Sequence, residues 1–295
     1  MYTGRFAPSP TGPLHFGSLI AAVASYCEAK SHDGKWLVRM EDLDKPREIP
    51  GAANTILQQL ENFGFEWDDT VLYQSRRDEA YAAALEPLKQ NKLVYPCTCT
   101  RKEIADSSTS LGIEGVIYPG TCLTNPLKQS GTIAWRIKTP DLMTSFRDAI
   151  QGRINQNLQQ DIGDFILKRA DGVFAYQLAV VVDDAEQGIT HIVRGADLLN
   201  STPRQIFLQQ MLNHPTPLYA HVPVASNAAG EKLSKQTLAQ PINTENCADL
   251  LFHALQFLGQ CPPESLQLET THMVWQWAFA NWQLNKVPAI KSRSV

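Results

Sequence analysis

Apolar positions near the N-terminus change from strand-like to helix-like spacing within a short distance. Tyr2 to Ala7 reads as a short strand. Pro8-Ser9-Pro10-Thr11-Gly12-Pro13 then forms a turn-rich loop, because its prolines and glycine interrupt any regular ladder. From Ser18 to about Lys30, the residues Leu19, Ile20, Val23, Tyr26 and Cys27 fall at helical spacing. Trp36 to Met40 predicts a second strand. The order strand, loop, helix, strand is the opening of a parallel α/β sheet. Two further helices are predicted from their starts. Ser75 precedes Asp78 by three, ahead of a buried stripe of Tyr81, Leu85 and Leu88. Thr202, Pro203 and Gln205 read as an N-cap, an N1 proline and a capping-box partner.

Between those helices the pattern breaks into turns and short strands such as Ile133 to Ile137. Regular spacing resumes at Phe174 to Val182 and in the strand Ile189 to Val193. After about Gln240 only helix is predicted, with Cys247, Leu250, Leu251, Ala254, Leu255 and Leu258 recurring on one face. The expected architecture is a Rossmann-like parallel-sheet nucleotide-binding core in two halves, 1–96 and 172–240. An inserted, zinc-bearing subdomain (97–171) separates them, and a short C-terminal helical domain (241–295) follows. No internal repeat or low-complexity tract is visible.

A chain of 295 residues can bury a sizeable core over about two domains. Its 43% hydrophobic and 19% charged residues are ordinary for a globular protein. The longest apolar stretches fall far short of a membrane span, and the start lacks a signal-peptide pattern, so the expected location is cytoplasmic with no membrane partner. A net charge of −4 argues against a large uniform basic surface. Local pairs remain for RNA phosphates in Arg76-Arg77, Arg101-Lys102 and Lys168-Arg169, each with an equal reading as solvated surface charge. A cytosolic chain with six cysteines is not expected to carry a disulfide framework. Cys97, Cys99 and Cys122 cluster, and three thiolates suit tetrahedral zinc; the other reading is three buried reduced cysteines.

Two constellations carry the candidate chemistry. In Arg5-Phe6-Ala7-Pro8-Ser9-Pro10-Thr11-Gly12-Pro13-Leu14-His15-Phe16-Gly17-Ser18, a strand delivers a rigid loop into a helix N-terminus, where exposed N–H groups and the dipole attract phosphate. Gly17 leaves room for an adenine ring, and His15 is placed to donate to phosphate oxygens. In Gly230-Glu231-Lys232-Leu233-Ser234-Lys235-Gln236, two lysines three apart suit a pyrophosphate leaving group. Alone, each has a bland reading, as a capped turn and as a solvated lysine turn.

Together, in this order, they resemble the H-I-G-H and K-M-S-K-S signatures of class I aminoacyl-tRNA synthetases. The strings RFAPSPTGPLHFGS and VVDDAEQGITHIVRGADLLNSTPRQ are similar to the glutamyl/glutaminyl branch, and the resemblance covers about residues 2 to 240. Ser18 stands where the first signature has its second histidine, and Gln236 where the second has its last serine. The resemblance implies ATP, carried with Mg²⁺, bound by His15, Gly17, Ser18 and Lys235, with His15, Gly17, Lys232 and Lys235 serving the chemistry. Glutamate needs a cation for its side-chain carboxylate and an anion for its ammonium; Arg5 supplies a planar fork and Glu41 lies just past a strand end. By resemblance Arg5, Ala7, Ser9, Glu41, Tyr176 and Arg194 line that pocket, with Phe6 and Pro8 beside them. Asp42 and Asp44 read better as a helix-capping acidic turn. Family resemblance also offers Tyr118 as the fourth ligand of a structural zinc held by Cys97, Cys99 and Cys122.

A glutamyl-type synthetase continues into a helical anticodon-binding region, whereas a short helical tail follows here. The shortened pattern with its zinc set is similar to the glutamyl-queuosine tRNA(Asp) synthetase family. That resemblance implies activation of glutamate without tRNA and its transfer to queuosine in tRNA(Asp), by a protein expected to be a monomer. Alternatives are a stand-alone core charging the 3′ end of tRNA(Glu), a nucleotidylyltransferase, and an idle RNA-binding paralogue.

Overall fold

The computed structural model describes residues 1–125, 128, 132–227 and 240–295. Strand and helix alternate through the first half, as β1 (Thr3–Phe6), α1 (Phe16–Lys30), β2 (Lys35–Met40), α2 (Ala52–Asn62), β3 (Leu72–Tyr73) and α3 (Asp78–Gln90). The insertion holds β4 (Val94–Cys97), α4 (Arg101–Ser107), β5 (Leu111–Gly112), β6 (Gly115–Val116), α5 (Thr121–Thr124) and β7 (Ala134–Ile137). It continues through β8 (Met143–Asp148), β9 (Gly152–Asn157), α6 (Leu158–Asp161) and β10 (Phe165–Lys168). The second half adds α7 (Tyr176–Glu186), β11 (His191–Gly195), α8 (Thr202–Met211), β12 (Leu218–Val222) and β13 (Val224–Ser226). Last come α9 (Cys247–Phe257), α10 (Thr271–Asn281) and β14 (Ser292–Ser294).

β1, β2 and β3 pair in parallel, with Arg5 opposite Leu37 and Arg39 opposite Leu72. β11 and β12 form a second parallel pair. The two meet at β1 and β11, where Thr190 N–H donates to Thr3 O at 2.9 Å and Thr3 N–H donates to Thr190 Oγ1 at 2.9 Å. Read across, the strands run β3-β2-β1-β11-β12, so the order reverses between β1 and β11. Sheets of this type bind ligands at that crevice, beyond the carboxyl ends of the strands.

Helix α1 lies against this sheet, burying Leu19, Ile20, Val23, Tyr26 and Cys27 as their spacing predicts. It starts at Phe16, two residues before the predicted Ser18, because the His15 side chain caps it by accepting from Ser18 N–H. The helices after Gln240 share the same core rather than building one of their own. Trp275 packs edge-on against Tyr26 and Phe65 with ring centres 5.0 and 4.9 Å apart, and its Nε1–H donates to Phe63 O at 2.8 Å. Among the described residues no helix is long and apolar enough to cross a membrane.

Three local expectations give way to tertiary contacts. Ser75 does not cap α3; its backbone N–H and hydroxyl both donate to the Asp42 carboxylate, at 2.8 and 2.6 Å. Thr202 is the first residue of α8 rather than its cap, and its hydroxyl and the Gln205 amide oxygen both accept from Arg194. The end of the chain is not helical throughout, because β14 pairs in parallel with β13. Its Ser-Arg-Ser sequence carries no apolar period, so the pairing is dictated by its partner strand. The inserted antiparallel sheet, ordered β10-β7-β4, begins at Val94, ahead of the first cysteine.

Because Trp275 joins the C-terminal helices to the sheet-facing core, Trp275→Ala is expected to lower stability by about 3–5 kcal/mol. Urea unfolding followed by circular dichroism checks it, and a loss below about 1 kcal/mol would mean that the tail packs independently.

Candidate functional site

A cleft of about 620 Å³ opens at the strand-order reversal. One wall is the loop leaving β1, with Arg5, Phe6, Ala7, Pro8, Ser9 and Thr11; another is the tip of α1, with His15, Gly17 and Ser18. Glu41 beyond β2, Tyr176 at the start of α7, and Val193, Arg194 and Gly195 from β11 close the far side. Every described residue singled out from the sequence for the nucleotide or amino-acid pocket therefore faces one cavity. Lys232 and Lys235 lie outside the described residues. Both flanks of their segment reach the cleft, however. Val224 and Ala225 line it, and Pro241 bridges to His15 while Ile242 N–H donates to Leu14 O at 3.0 Å.

Backbone bonds hold the loop after β1. Glu41 N–H donates to Pro8 O and Ile49 N–H to Pro10 O, both at 3.0 Å, and Leu14 N–H donates to the Gln59 side chain at 2.8 Å. Since His15 Nδ1 accepts the Ser18 N–H, the ring's hydrogen sits on Nε2 in its neutral form.

Under the cleft lies a buried ion network that reading the sequence did not assign. Asp184 on α7 accepts from Arg5 Nε at 3.1 Å and from Arg39 Nη1 at 2.8 Å. Arg39 is fully buried, and its other edge reaches Glu41 at 3.3 Å. Asp183 next door takes Gln74, Arg77 and Tyr81 at 2.7, 2.7 and 2.8 Å. Burial alone would raise the Asp184 carboxyl, but the two guanidiniums outweigh it and hold it below the usual carboxylate range. At Glu41 burial wins over Arg39 and Arg5, so its carboxyl is pushed up. The signal for Asp183 and Asp184 was present in the sequence: adjacent acids directly after the apolar run Leu178 to Val182, on a helix buried by that run, need buried cations. Arg39, likewise, sits in the apolar strand Trp36 to Met40.

Arg5 is thus already engaged. Among the described residues its side-chain hydrogen bonds all go to Asp184. Arg194 differs: it is buried, lines the cleft, and leaves Nη1 with no hydrogen-bond partner among the described residues. Its Nη2 donates to Thr202 Oγ1 and Gln205 Oε1 at 2.9 and 2.8 Å, and its Nε donates to His221 Nε2 at 3.0 Å. An unpaired buried guanidinium N–H calls for an anion.

The expected basic pairs are mostly consumed internally. Arg77 binds Asp183 and Glu186, Arg76 stacks over Tyr73, Lys168 lies over Phe174, and Arg169 pairs with Asp171. Arg101 and Lys102 remain exposed at the start of α4. Asp44 pairs with Arg47 without capping through its side chain, while Asp42 holds the turn at Ser75.

Cys97, Cys99 and Cys122 bring their sulfurs within 4.8 Å of one another. The Tyr118 hydroxyl stands 3.4 Å from Cys97 Sγ and 3.6 Å from Cys99 Sγ, and accepts the Cys122 N–H at 2.8 Å. Burial pushes the Cys122 thiol up, but hydrogen bonds with Tyr118, the Thr98 backbone and Cys99 outweigh it and hold it at about 6. Arg136 Nε donates to Cys97 Sγ at 3.4 Å. The apolar cluster here is small: Tyr95, Cys97 and Tyr118, flanked by Cys99, Ile104 and Cys122.

His221 is completely buried, and its burial together with the Arg194 cation holds the imidazole neutral, down to about 4 from an ordinary 6.5. Below pH 6.5 the unfolded chain takes up a proton at this position that the folded chain refuses, so stability falls with pH until about 4 and is unaffected above 6.5. Relative to a His221→Gln variant, the wild type is expected to lose about 2 kcal/mol between pH 7 and pH 5. Urea unfolding at the two pH values checks this; equal losses in both proteins would mean that the folded chain protonates His221 normally.

Residues 2–261 match the family described as tRNA synthetases class I (E and Q), catalytic domain. A glutamyl-Q tRNA(Asp) synthetase of Dechloromonas aromatica is 58% identical over 288 residues, spanning 97% of this chain and 96% of that protein. One from Neisseria meningitidis serogroup B is 55% identical over 291 residues, 98% of each chain. Among solved structures, a glutamate-tRNA synthetase from Elizabethkingia anophelis superposes with a TM-score of 0.80 at 24% identity, and a glutamate tRNA ligase from Elizabethkingia meningosepticum with 0.79 at 24%. This chain spans 68% and 66% of their lengths, and at that identity the likeness speaks for the fold alone. The chain belongs to the class I tRNA synthetase family of the E and Q type, together with the glutamyl-Q tRNA(Asp) synthetases.

Proposed function

We propose that this protein is a ligase that uses ATP to activate L-glutamate as glutamyl-adenylate without tRNA, then transfers the glutamyl group to the queuosine base in the anticodon of tRNA(Asp). The observation that carries it is the single cleft joining an anion-seeking wall, Arg194 and Arg5, to the tip of α1 with His15, Gly17 and Ser18. Identities of 58% and 56% to glutamyl-Q tRNA(Asp) synthetases, over 97% and 98% of this chain, support the acceptor.

In this reading Arg194 Nη1 and the rim of Arg5 take a substrate carboxylate, and Glu41 takes the ammonium. Burial raises the Glu41 carboxyl, so an incoming cation restores its charge and gains strength from the low dielectric. Ala7, Ser9 and Tyr176 complete the pocket walls. The triphosphate, with its Mg²⁺, lies on the α1 tip, where helix N–H groups and the His15 Nε2–H meet it. The glutamate α-carboxylate attacks the α-phosphorus, forming the acyl-phosphate bond as the bond to pyrophosphate breaks. Positioning and charge stabilisation carry this step, so no covalent enzyme intermediate is needed. Lys232 and Lys235 attend the leaving pyrophosphate from a segment whose flanks both border the cleft. The protein works as a monomer in the cytoplasm, where its tRNA resides.

Cys97, Cys99, Cys122 and Tyr118 hold a structural zinc. A tetrahedron with Zn–S bonds of ~2.3 Å has edges of ~3.8 Å, and the sulfur and hydroxyl separations here fit that cage. The ion would tie β4 to the segment around α5, where the apolar cluster is too small to hold them unaided. Cys99→Ser is expected to release the metal and lower stability by about 2–5 kcal/mol while sparing adenylate formation. Elemental analysis of native protein checks it; protein lacking zinc would remove the site.

The central test is ATP–pyrophosphate exchange with no tRNA present. Exchange is expected to depend on glutamate and to be weak with glutamine. Labelled glutamate is then expected to load queuosine-containing tRNA(Asp) and not a queuosine-free transcript. Label on the 3′ end of tRNA(Glu) would transfer the assignment to an ordinary charging enzyme.

A further inference from the structure

Arg194, whose Nη1 has no partner among the described residues, is held from outside the nucleotide-binding halves. Asp148 closes strand β8 of the inserted hairpin, yet its carboxylate is buried against β12. Its Oδ1 accepts three backbone N–H groups, from Ile150, Gln151 and His221 at 3.0, 2.8 and 3.1 Å. Its Oδ2 meets His221 Nδ1 at 2.6 Å. The other imidazole nitrogen, Nε2, meets Arg194 Nε at 3.0 Å.

An arginine Nε–H can only donate, so His221 Nε2 must accept and the ring hydrogen must sit on Nδ1, where Asp148 receives it. The tautomer is therefore fixed from both sides. Arg194 in turn has Nε fixed by His221 and Nη2 fixed by Thr202, Gln205 and Leu198 O, which sets the plane of the guanidinium and the position of Nη1. The hairpin is clamped to the same strand: Ala149 N–H donates to Tyr219 O at 2.8 Å, and Gln151 Nε2 donates to His221 O at 2.8 Å.

We propose that Asp148 and His221 are positioning residues, a buried relay that aims Arg194 at the substrate carboxylate and makes the amino-acid pocket depend on the inserted hairpin. This inference rests on the reading of Arg194 as a carboxylate ligand. The relay itself touches no substrate. It acts through a hydrogen's location, so its effect belongs in substrate affinity rather than in the chemical step.

Asp148→Asn isolates that hydrogen. The three backbone donors keep the amide oxygen in the place of Oδ1, so the NH₂ group replaces Oδ2 with no change in volume. His221 Nδ1 must then accept, its hydrogen moves to Nε2, and it faces the Arg194 Nε–H donor to donor. KM for glutamate in tRNA-free pyrophosphate exchange is expected to rise about 10- to 100-fold, as for a charged group losing a buried partner, with kcat and KM for ATP within about threefold of wild type. Nitrogen-15 spectra of the histidines are expected to show His221 with its hydrogen on Nδ1 in the wild type and on Nε2 in the variant. A KM for glutamate unchanged by the inverted tautomer would overturn the relay, as would a fall in kcat alone, which marks a loosened fold. Wild-type His221 carrying its hydrogen on Nε2, or on both nitrogens, at pH 7 would overturn it without any variant. Arg194→Lys separates the two layers: if it leaves KM for glutamate unchanged, the pocket reading fails. If it raises KM while Asp148→Asn does not, only the relay fails.

Discussion

Two arginines at the carboxyl ends of neighbouring strands are bound by one carboxylate, and one of the two, Arg5, lines the cleft. Arg5 and Arg39 are both buried, and each would be severely destabilising there without an anion. Asp184 reaches both, and it sits on α7, far along the chain from either. Helix α7 therefore has to dock with its paired acids facing the ends of β1 and β2. Asp183 extends the same demand to Arg77, Gln74 and Tyr81 around α3. This arrangement couples the two halves of the core across the whole insertion. It also presents Tyr176, at the start of the same helix, to the cavity.

The parts legible from sequence are those where local pattern and tertiary demand agree. Helix α1 has a continuous apolar face against the sheet, and its proline-bounded approach loop leaves few alternatives, so both the helix and the residues at its tip were readable. The capping signals at Ser75 and Thr202 were read by a local rule, and a local rule lost. Each hydroxyl had a stronger partner from a distant element, the Asp42 carboxylate in one case and the Arg194 guanidinium in the other. The paired basic residues divide: Arg77 is held by Asp183 and Glu186, while Arg101 and Lys102 stay exposed. An arginine's sequence neighbours do not reveal whether an acid such as Asp183 waits for it a hundred positions away. Strand β14 was invisible because its three residues have no apolar period, and only the edge of β13 gives them strand geometry.

The insertion shows a different limit. Its cysteine spacing was legible because thiolates close in sequence can gather around one point. Asp148 was not, since an aspartate at the end of an exposed hairpin looks like solvated turn chemistry. Its burial follows from a backbone clamp onto β12, and no periodicity in Met143 to Asn157 encodes that docking. What the insertion contributes is therefore more than a surface appended to a nucleotide fold. One of its carboxylates holds the histidine that accepts from a cleft arginine.

This changes how selectivity for an acidic amino acid arises in the proposed pocket. From sequence, Arg5 was the natural cation for a carboxylate, by its place at the end of β1. In the fold its Nε and one Nη are spent on Asp184, and its charge is partly neutralised there. Arg194 keeps a donor without a partner among the described residues, in a nearly dry setting, with a neutral histidine rather than an anion on its Nε. The imidazole stands between the Arg194 charge and the Asp148 carboxylate. A carboxylate supplies both the acceptor and the opposite charge, whereas the amide of glutamine supplies only the acceptor and brings donors of its own toward a guanidinium. Desolvating that mismatch costs more than losing one ordinary hydrogen bond. Discrimination between the two amino acids then depends on His221 staying neutral, because an imidazolium beside Arg194 would break the hydrogen bond to Nε and release the guanidinium from its plane.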